Sequence, residues 1–215
     1  MLARGGAAAT ALALIALAGC GGSSHPSTSA SASASGSEHE QQPPAALGSV
    51  RGRVLRAGEL AGFAPQGQRI VGTSAASWVG GLELPAAEKA KETARLQRAG
   101  FRAGVRERLA PTKSGPAEAI SIVEQFGSAQ QAKAELATQL EGLQVRGAST
   151  FTVPGIPGAH GVAISTTQQS GVNVEFAKGG YYYVVGAGWP AKSSSAPTRA
   201  QVQAAAQQLY SRISG

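Results

Sequence analysis

The chain has 215 residues, a formal net charge of +7 and one cysteine, and 42% of its residues are hydrophobic. A single cysteine cannot form a disulfide within the chain, and the complete lack of aspartate removes the third member of a Ser-His-Asp triad. With three histidines in all, the composition also argues against clustered zinc ligands, while the positive charge favours anionic partners.

The first 20 residues have the order of an export signal. One positive charge, Arg4, precedes an apolar run over 7–18, and small residues lead to the only cysteine. The sequence Leu17-Ala18-Gly19-Cys20 resembles the lipobox of bacterial lipoproteins. This resemblance implies that Cys20 receives a diacylglyceryl group and holds the mature chain on the extracytoplasmic face of the cell membrane. The apolar run is shorter than the roughly 18 to 20 residues that a membrane-spanning helix needs.

The mature chain is predicted to consist of a tether, residues 20–47, and one globular domain, residues 48–215. The tether is rich in Ser, Ala, Gly, Pro and Gln, so it cannot bury enough apolar surface to fold. As a flexible coil of about 27 residues, it has an r.m.s. reach of roughly 30 Å. The Gly-, Ala- and Arg-rich composition is also typical of the high-GC genomes of actinobacteria.

Three amphipathic helices are predicted in the domain. The segment Pro85–Gly100 begins with a residue suited to a first helical position and ends with one suited to a helix C-terminus. Ser128 with Gln131, and Thr198 with Gln201, have the spacing of capping boxes. These two pairs therefore predict the starts of a second and a third helix.

Runs of period two predict the strands, which are 101–109, 119–126, 161–167, 172–176 and 181–185, with weaker candidates at 50–55, 69–71 and 150–153. The segment Ala177–Gly180 is a good hairpin turn between the last two strong candidates. Consecutive strands without intervening helices favour an α+β fold, in which an antiparallel sheet is covered on one face by about three amphipathic helices. The order of elements is similar to that of small export-linked domains of the PsbP or Mog1 type.

No cofactor or metal is predicted. The segment Gly186–Ala191 matches the pattern G-x-G-x-x-A, but Pro190 and a Ser-rich loop follow where a dinucleotide fold needs a helix. No acidic residue follows Glu175 to bind a ribose. His160 is the only histidine of the domain, so a metal site lacks its ligands.

Two glutamates, Glu107 and Glu124, occupy the otherwise apolar side of their predicted strands. A carboxyl group that faces a core has a raised pKa and would be a candidate site. We expect instead that a strand end or a bulge turns each of them outward. No catalytic residue is therefore predicted.

A basic surface is predicted from Arg102, Arg106 and Arg108, which share the polar side of one strand. Such a surface would attract anionic lipid headgroups, wall polymers or an acidic protein. The alternative is a solvated strand face that neighbouring glutamates partly neutralise. Nucleic acid is disfavoured as a partner by the predicted location.

The aromatic residues offer a further candidate site. Tyr181–Tyr183 place rings on both faces of one strand, for which core packing is the default explanation. The alternative is a ligand groove under the loop Val153–Gly158, with His160 and Tyr182 at its mouth.

These features predict a monomeric, lipid-anchored, extracytoplasmic binding module without enzymatic activity. Two alternatives stay open. A carrier of an apolar ligand would contain an internal cavity of several hundred cubic ångströms. A cell-wall hydrolase would bring two glutamate carboxyls to within about 5 to 10 Å of each other in an open cleft.

Overall fold

The structure, a computed structural model, describes residues 47–145, 148–191, 193 and 197–213. Its helices are α1 (Leu47–Arg51), α2 (Ala75–Gly80), α3 (Ala86–Arg98), α4 (Ala129–Val145) and α5 (Arg199–Arg212). Its strands are β1 (Phe63–Gly72), β2 (Phe101–Pro111), β3 (Glu118–Phe126), β4 (Ser149–Thr152), β5 (His160–Ser165), β6 (Gln169–Lys178) and β7 (Tyr181–Pro190).

The seven strands form one antiparallel sheet in the order β1-β2-β3-β7-β6-β5-β4. The predicted hairpin between β6 and β7 is present, with Lys178 paired to Tyr181 across a two-residue turn. Gly179 adopts a positive φ of 57°, which a residue without a Cβ tolerates best. The predicted α+β class with an antiparallel sheet is therefore confirmed.

Helices cover both faces of the sheet, so the prediction that one face carries all of them is wrong. Helices α2, α3 and α4 contribute to the core on one face, which we call the α2–α4 face. Helices α1 and α5 contribute to the core on the other, which we call the α1–α5 face. The physical reason is visible in β7, where Tyr182 and Tyr183 point to opposite faces and are both buried.

The predicted helix ends are largely confirmed. Thr198 and Gln201 cap each other reciprocally at the start of α5, while at α4 the hydroxyl of Ser128 accepts from the N–H of Gln131 at 3.2 Å. Pro85 occupies the position before α3 instead of its first turn, and it contributes no side-chain cap. Gly100 has a φ of 79°, as expected of a glycine that ends a helix.

The first described segment differs from its prediction. Residues 50–55, a weak strand candidate, form the end of α1 and a turn that buries Val50, Val54 and Leu55 in the α1–α5 core. The segment 69–71 does lie in a strand, β1. Helix α2 was not predicted, because its only start signal is the short serine pair Ser74 and Ser77.

Cys20, the lipobox and nearly all of the predicted tether lie outside the described residues. None of the helices in the described ranges combines the length and the hydropathy that crossing a bilayer requires.

Candidate functional site

Four buried glutamates lie between the sheet and the helices of the α2–α4 face. Glu124 is on β3, Glu175 on β6, Glu92 on α3 and Glu135 on α4, and all are buried. Together with Arg95 of α3 they form what we call the carboxylate cluster. Because four acidic groups surround one cation, the potential inside the cluster favours protons on the carboxyls.

Arg95 holds two of the four carboxylates. Its Nη1 and Nη2 atoms donate to Glu135 at 2.6 and 2.8 Å, and its Nε and Nη2 atoms donate to Glu92 at 2.8 and 2.7 Å. Burial alone would lower the pKa of Arg95, but the hydrogen bonds to Glu92 and Glu135 outweigh it and raise the pKa. This bidentate geometry ties α3 to α4 across the cluster.

Glu124 has one donor and a second oxygen that is buried without a partner. The indole Nε1–H of Trp78 donates to Oε1 at 2.8 Å, whereas Oε2 receives no hydrogen bond from a described residue. Burial and the nearby negative charge of Glu135 raise the pKa of Glu124 from 4.5 to about 8. At neutral pH this carboxyl is therefore mainly protonated.

Glu175 has more hydrogen-bond partners than Glu124. The hydroxyl of Tyr182 donates to its Oε2 at 2.8 Å, and Nδ2 of Asn173 lies 3.4 Å from its Oε1. Burial raises the pKa of Glu175 from 4.5 to about 7, although both hydrogen bonds oppose the rise. Burial also raises the pKa of Tyr182 well above 10, which keeps its proton in place as the donor.

Glu107 and Glu124 both face inward, so the expectation that they turn outward is wrong. Glu107 is 0% exposed and pairs with Arg69 of β1, and Glu124 is 8% exposed beneath Trp78. They lie on opposite faces of the sheet, since Glu107 is opposite Ser121 in the register and Glu124 is opposite Gly104. Their carboxyls therefore cannot converge on one substrate. Both glutamates lie on the side of their strands that the alternation of apolar residues indicates, and residues of other elements donate hydrogen bonds to them.

The three arginines of β2 do not form one exposed surface, which corrects the predicted basic strand. Arg102 is exposed, Arg106 is only 9% exposed, and Arg108 donates to Glu83 at 3.2 Å. The reason is that Arg106 and Arg108 are on the α2–α4 face, where Ile70 of β1 lies opposite Arg106 in the register. Burial and the positive charge of Arg108 lower the pKa of Arg106.

The groove predicted at His160 and Tyr182 is also not formed. The side chains of Val153 and Ile156 belong to the α1–α5 core, and Nε2 of Gln207 in α5 donates to the carbonyl of Pro154 at 2.7 Å. The loop 153–158 therefore lies across the sheet from Tyr182. His160 is exposed and lies opposite Glu175 in the register.

A cationic surface that the sequence did not indicate lies at one end of the sheet. We call it the hairpin end, and its cations are Arg51, Arg53, Arg102 and Lys178. These residues lie in α1, in the segment after it, at the start of β2 and at the end of β6. Arg51 and Arg53 escaped notice because the sequence predicts a strand at 50–55.

Aromatic rings contact two cations of the hairpin end. The guanidinium of Arg53 lies 4.2 Å from the ring centroid of Tyr181, and Nη1 of Arg53 donates to the hydroxyl of Tyr183 at 2.9 Å. The ammonium of Lys178 lies 4.3 Å from the ring centroid of Tyr210. These contacts hold the cations at defined places on the surface.

Charge is distributed unevenly between the interior and the surface. Residues 48–215 contain ten glutamates, and five of them are buried, which are Glu92, Glu107, Glu124, Glu135 and Glu175. Arg106 is the one cation of the described residues that is buried to the same degree. The surface is therefore more cationic than the sequence composition alone indicates.

Comparisons with known proteins concern the fold. No protein-family model matches the chain, and no curated protein matches its sequence significantly. Among solved structures, the crystal structure of the extracellular domain of PknH from Mycobacterium tuberculosis is similar, with a TM-score of 0.52 and 13% sequence identity. The match covers 80% of this chain and 98% of that one. What this chain shares with that domain is its fold.

Proposed function

We propose that this protein is an extracytoplasmic binding module, anchored by lipid at Cys20, that binds anionic components of the cell envelope and catalyses no reaction. The observation that carries the proposal is the burial of half of the domain's glutamates. Because most cations stay at the surface, the domain presents a positive field to its surroundings.

The arrangement of the carboxyl groups supports binding over hydrolysis. Glycoside hydrolysis needs two carboxyls that face a common open cleft. Glu107 and Glu124 are separated by the sheet, and Glu124 and Glu175 are 8% and 1% exposed beneath helices. A sugar chain has no access to either pair in this conformation.

The extracytoplasmic location draws on two supports. The lipobox ends at Cys20, the only cysteine, and an exported chain with one unpaired thiol is best explained if that thiol is acylated. The structurally similar domain of PknH is named as an extracellular domain, so this fold is compatible with a location outside the cytoplasm.

The anchor is tested by comparing the full chain with its Cys20→Ser variant in a bacterial host. Detergent phase partitioning should place the native chain in the detergent phase, and the variant in the aqueous phase or as unprocessed precursor. Ser23→Ala is the matched control, since it changes the neighbouring sequence without removing the thiol. An unchanged distribution of the Cys20 variant would contradict the anchor.

Binding is tested with the unlipidated mature chain, residues 20–215 with Cys20→Ser. The probes are phosphatidylglycerol vesicles and a phosphate-rich wall polymer, with neutral phosphatidylcholine vesicles as the control. Binding to at least one anionic probe should weaken as salt rises from about 0.01 M to about 0.15 M, because the Debye length falls from about 30 Å to about 8 Å. Failure to bind either anionic probe at low salt would overturn the proposed binding function.

A further inference from the structure

We propose that the hairpin end docks on the anionic bilayer into which the lipid of Cys20 is inserted. This inference rests on the function proposed above and adds the orientation of the domain and the identity of the anionic partner. In this orientation the strands run towards the membrane, and the turn between β6 and β7 lies next to the headgroups.

The path of the chain places the hairpin end nearest to the anchor. The chain from Cys20 enters the domain at α1, whose first residue is Leu47. Directly after α1, Arg53 contacts Tyr181 and Tyr183 at the start of β7. The chain thus joins the domain at the end of the sheet that carries the cations.

The length of the preceding chain keeps this end close to the bilayer. The roughly 26 residues between Cys20 and Leu47 can span at most about 90 Å, so the domain stays within that distance of the bilayer. A covalent connection between two binding partners raises their effective concentration, to the order of millimolar where the connection is short. Weak affinity of one face for lipid is therefore sufficient for docking.

The charge of the hairpin end suits an anionic headgroup layer. Arg51 and Arg102 are exposed, and Arg53 and Lys178 are partly exposed. Glu59, the acid beside this group, is already neutralised by Arg212, whose Nε lies 2.7 Å from its Oε1. Each cation near an anionic membrane surface strengthens binding about fivefold.

Tyrosine rings accompany the cations in the way that membrane interfaces favour. Tyr181 and Tyr210 are partly exposed, and beneath them the rings of Tyr183 and Phe176 stack with centroids 4.8 Å apart. Tyrosine is enriched at the level of the headgroups because its ring is apolar and its hydroxyl is polar. The rigid stack gives the surface a fixed shape, so docking costs little conformational entropy.

Cations away from the hairpin end provide a control. Lys113 lies in the turn after β2 and lines a small surface pocket beside Gln201 of α5. The guanidinium of Arg199 lies 4.2 Å from the ring centroid of Phe151 in β4. Both cations therefore lie away from the β6–β7 turn, and both are exposed, as are Arg51 and Arg102.

The experiment measures vesicle co-sedimentation of the unlipidated mature chain with Cys20→Ser at about 0.01 M salt. Two double variants remove the same charge, Arg51→Gln with Arg102→Gln and Lys113→Gln with Arg199→Gln. The first should weaken binding to phosphatidylglycerol vesicles about 25-fold, and the second less than about threefold. Thermal melts of each variant check that the fold is intact.

Equal weakening by the two double variants would show that net charge alone acts, and would overturn the proposed orientation. Unchanged binding by the Arg51 and Arg102 variant would overturn it as well. Binding to the wall polymer without binding to vesicles would refute lipid as the partner while leaving the proposed function standing. If the native sequence binds none of the anionic probes, both the proposed orientation and the proposed function are refuted.

Discussion

The indole N–H of Trp78 donates a hydrogen bond to Oε1 of Glu124 at 2.8 Å, and it is the one hydrogen bond that this buried carboxyl receives from the described residues. The contact requires space on the neighbouring strands. At Gly104, an added Cβ would lie 3.0 Å from the Trp78 ring, and at Gly72 it would lie 2.5 Å from the Trp78 Cα. Two glycines thus allow α2 to approach the sheet closely enough to reach Glu124.

Gly72→Ala should destabilise the protein by about 1 to 3 kcal/mol, because the new methyl group meets the backbone of α2 and forces it to move. The control is Gly80→Ala, where a Cβ meets no atom within 4 Å. Urea unfolding should show that the control is neutral or stabilised by up to about 1 kcal/mol, since alanine favours a helix more than glycine does. Equal effects of both substitutions would disprove the close approach.

Glu124→Gln should change how stability depends on pH. In the native protein, the pKa of Glu124 is raised from 4.5 to about 8, so the unfolded chain loses this proton before the folded chain does. The free energy of unfolding therefore falls as pH rises from about 4.5 to about 8, and this contribution is absent in the variant. Relative to the native protein, the variant should gain stability between pH 5 and pH 8 in urea titrations. Glu141→Gln, an exposed change on α4, should leave the slope unaltered.

Tyr182→Phe should raise the pKa of Glu175 further, because the hydroxyl at 2.8 Å favours the charged carboxylate. The native pKa is raised from 4.5 to about 7, so stability is lost as pH rises through that window. In the variant the loss continues above pH 7, and stability at pH 8 should fall more than stability at pH 5. The pH-dependent part of this difference should disappear in a Glu175→Gln background. If it persists there, the effect does not pass through Glu175.

Arg95→Gln should destabilise the protein by about 3 to 5 kcal/mol, because it leaves the carboxylates of Glu92 and Glu135 buried without their cation. The loss should be greater at pH 8 than at pH 5, since Arg95 also lowers the pKa of Glu124. Arg98→Gln removes an exposed arginine of the same helix and should change stability by less than about 0.5 kcal/mol. Equal losses in the two variants would show that Arg95 acts through helix propensity alone.

Local sequence patterns determined most of the elements of this protein. The alternation of apolar residues predicted β2, β3, β5, β6 and β7, and the capping pairs at Ser128 and Thr198 predicted the starts of α4 and α5. These signals are readable because they depend on neighbours within about four residues. The strand predicted at 50–55 is wrong, because so short an apolar segment fits a buried turn of helix equally well.

Tertiary structure alone decided what the charged residues do. Alternation shows that Glu124 and Glu107 share a side with apolar neighbours. It does not show that Trp78 of α2, 46 residues away, donates to Glu124, or that Arg69 of β1, 38 residues away, donates to Glu107. Likewise, the polar side of β2 indicates an exposed Arg106, whereas the order of the strands places it beside Ile70 beneath a second helical layer. The positions of charges depend on contacts between distant segments, because a charge is buried only where another part of the chain compensates it.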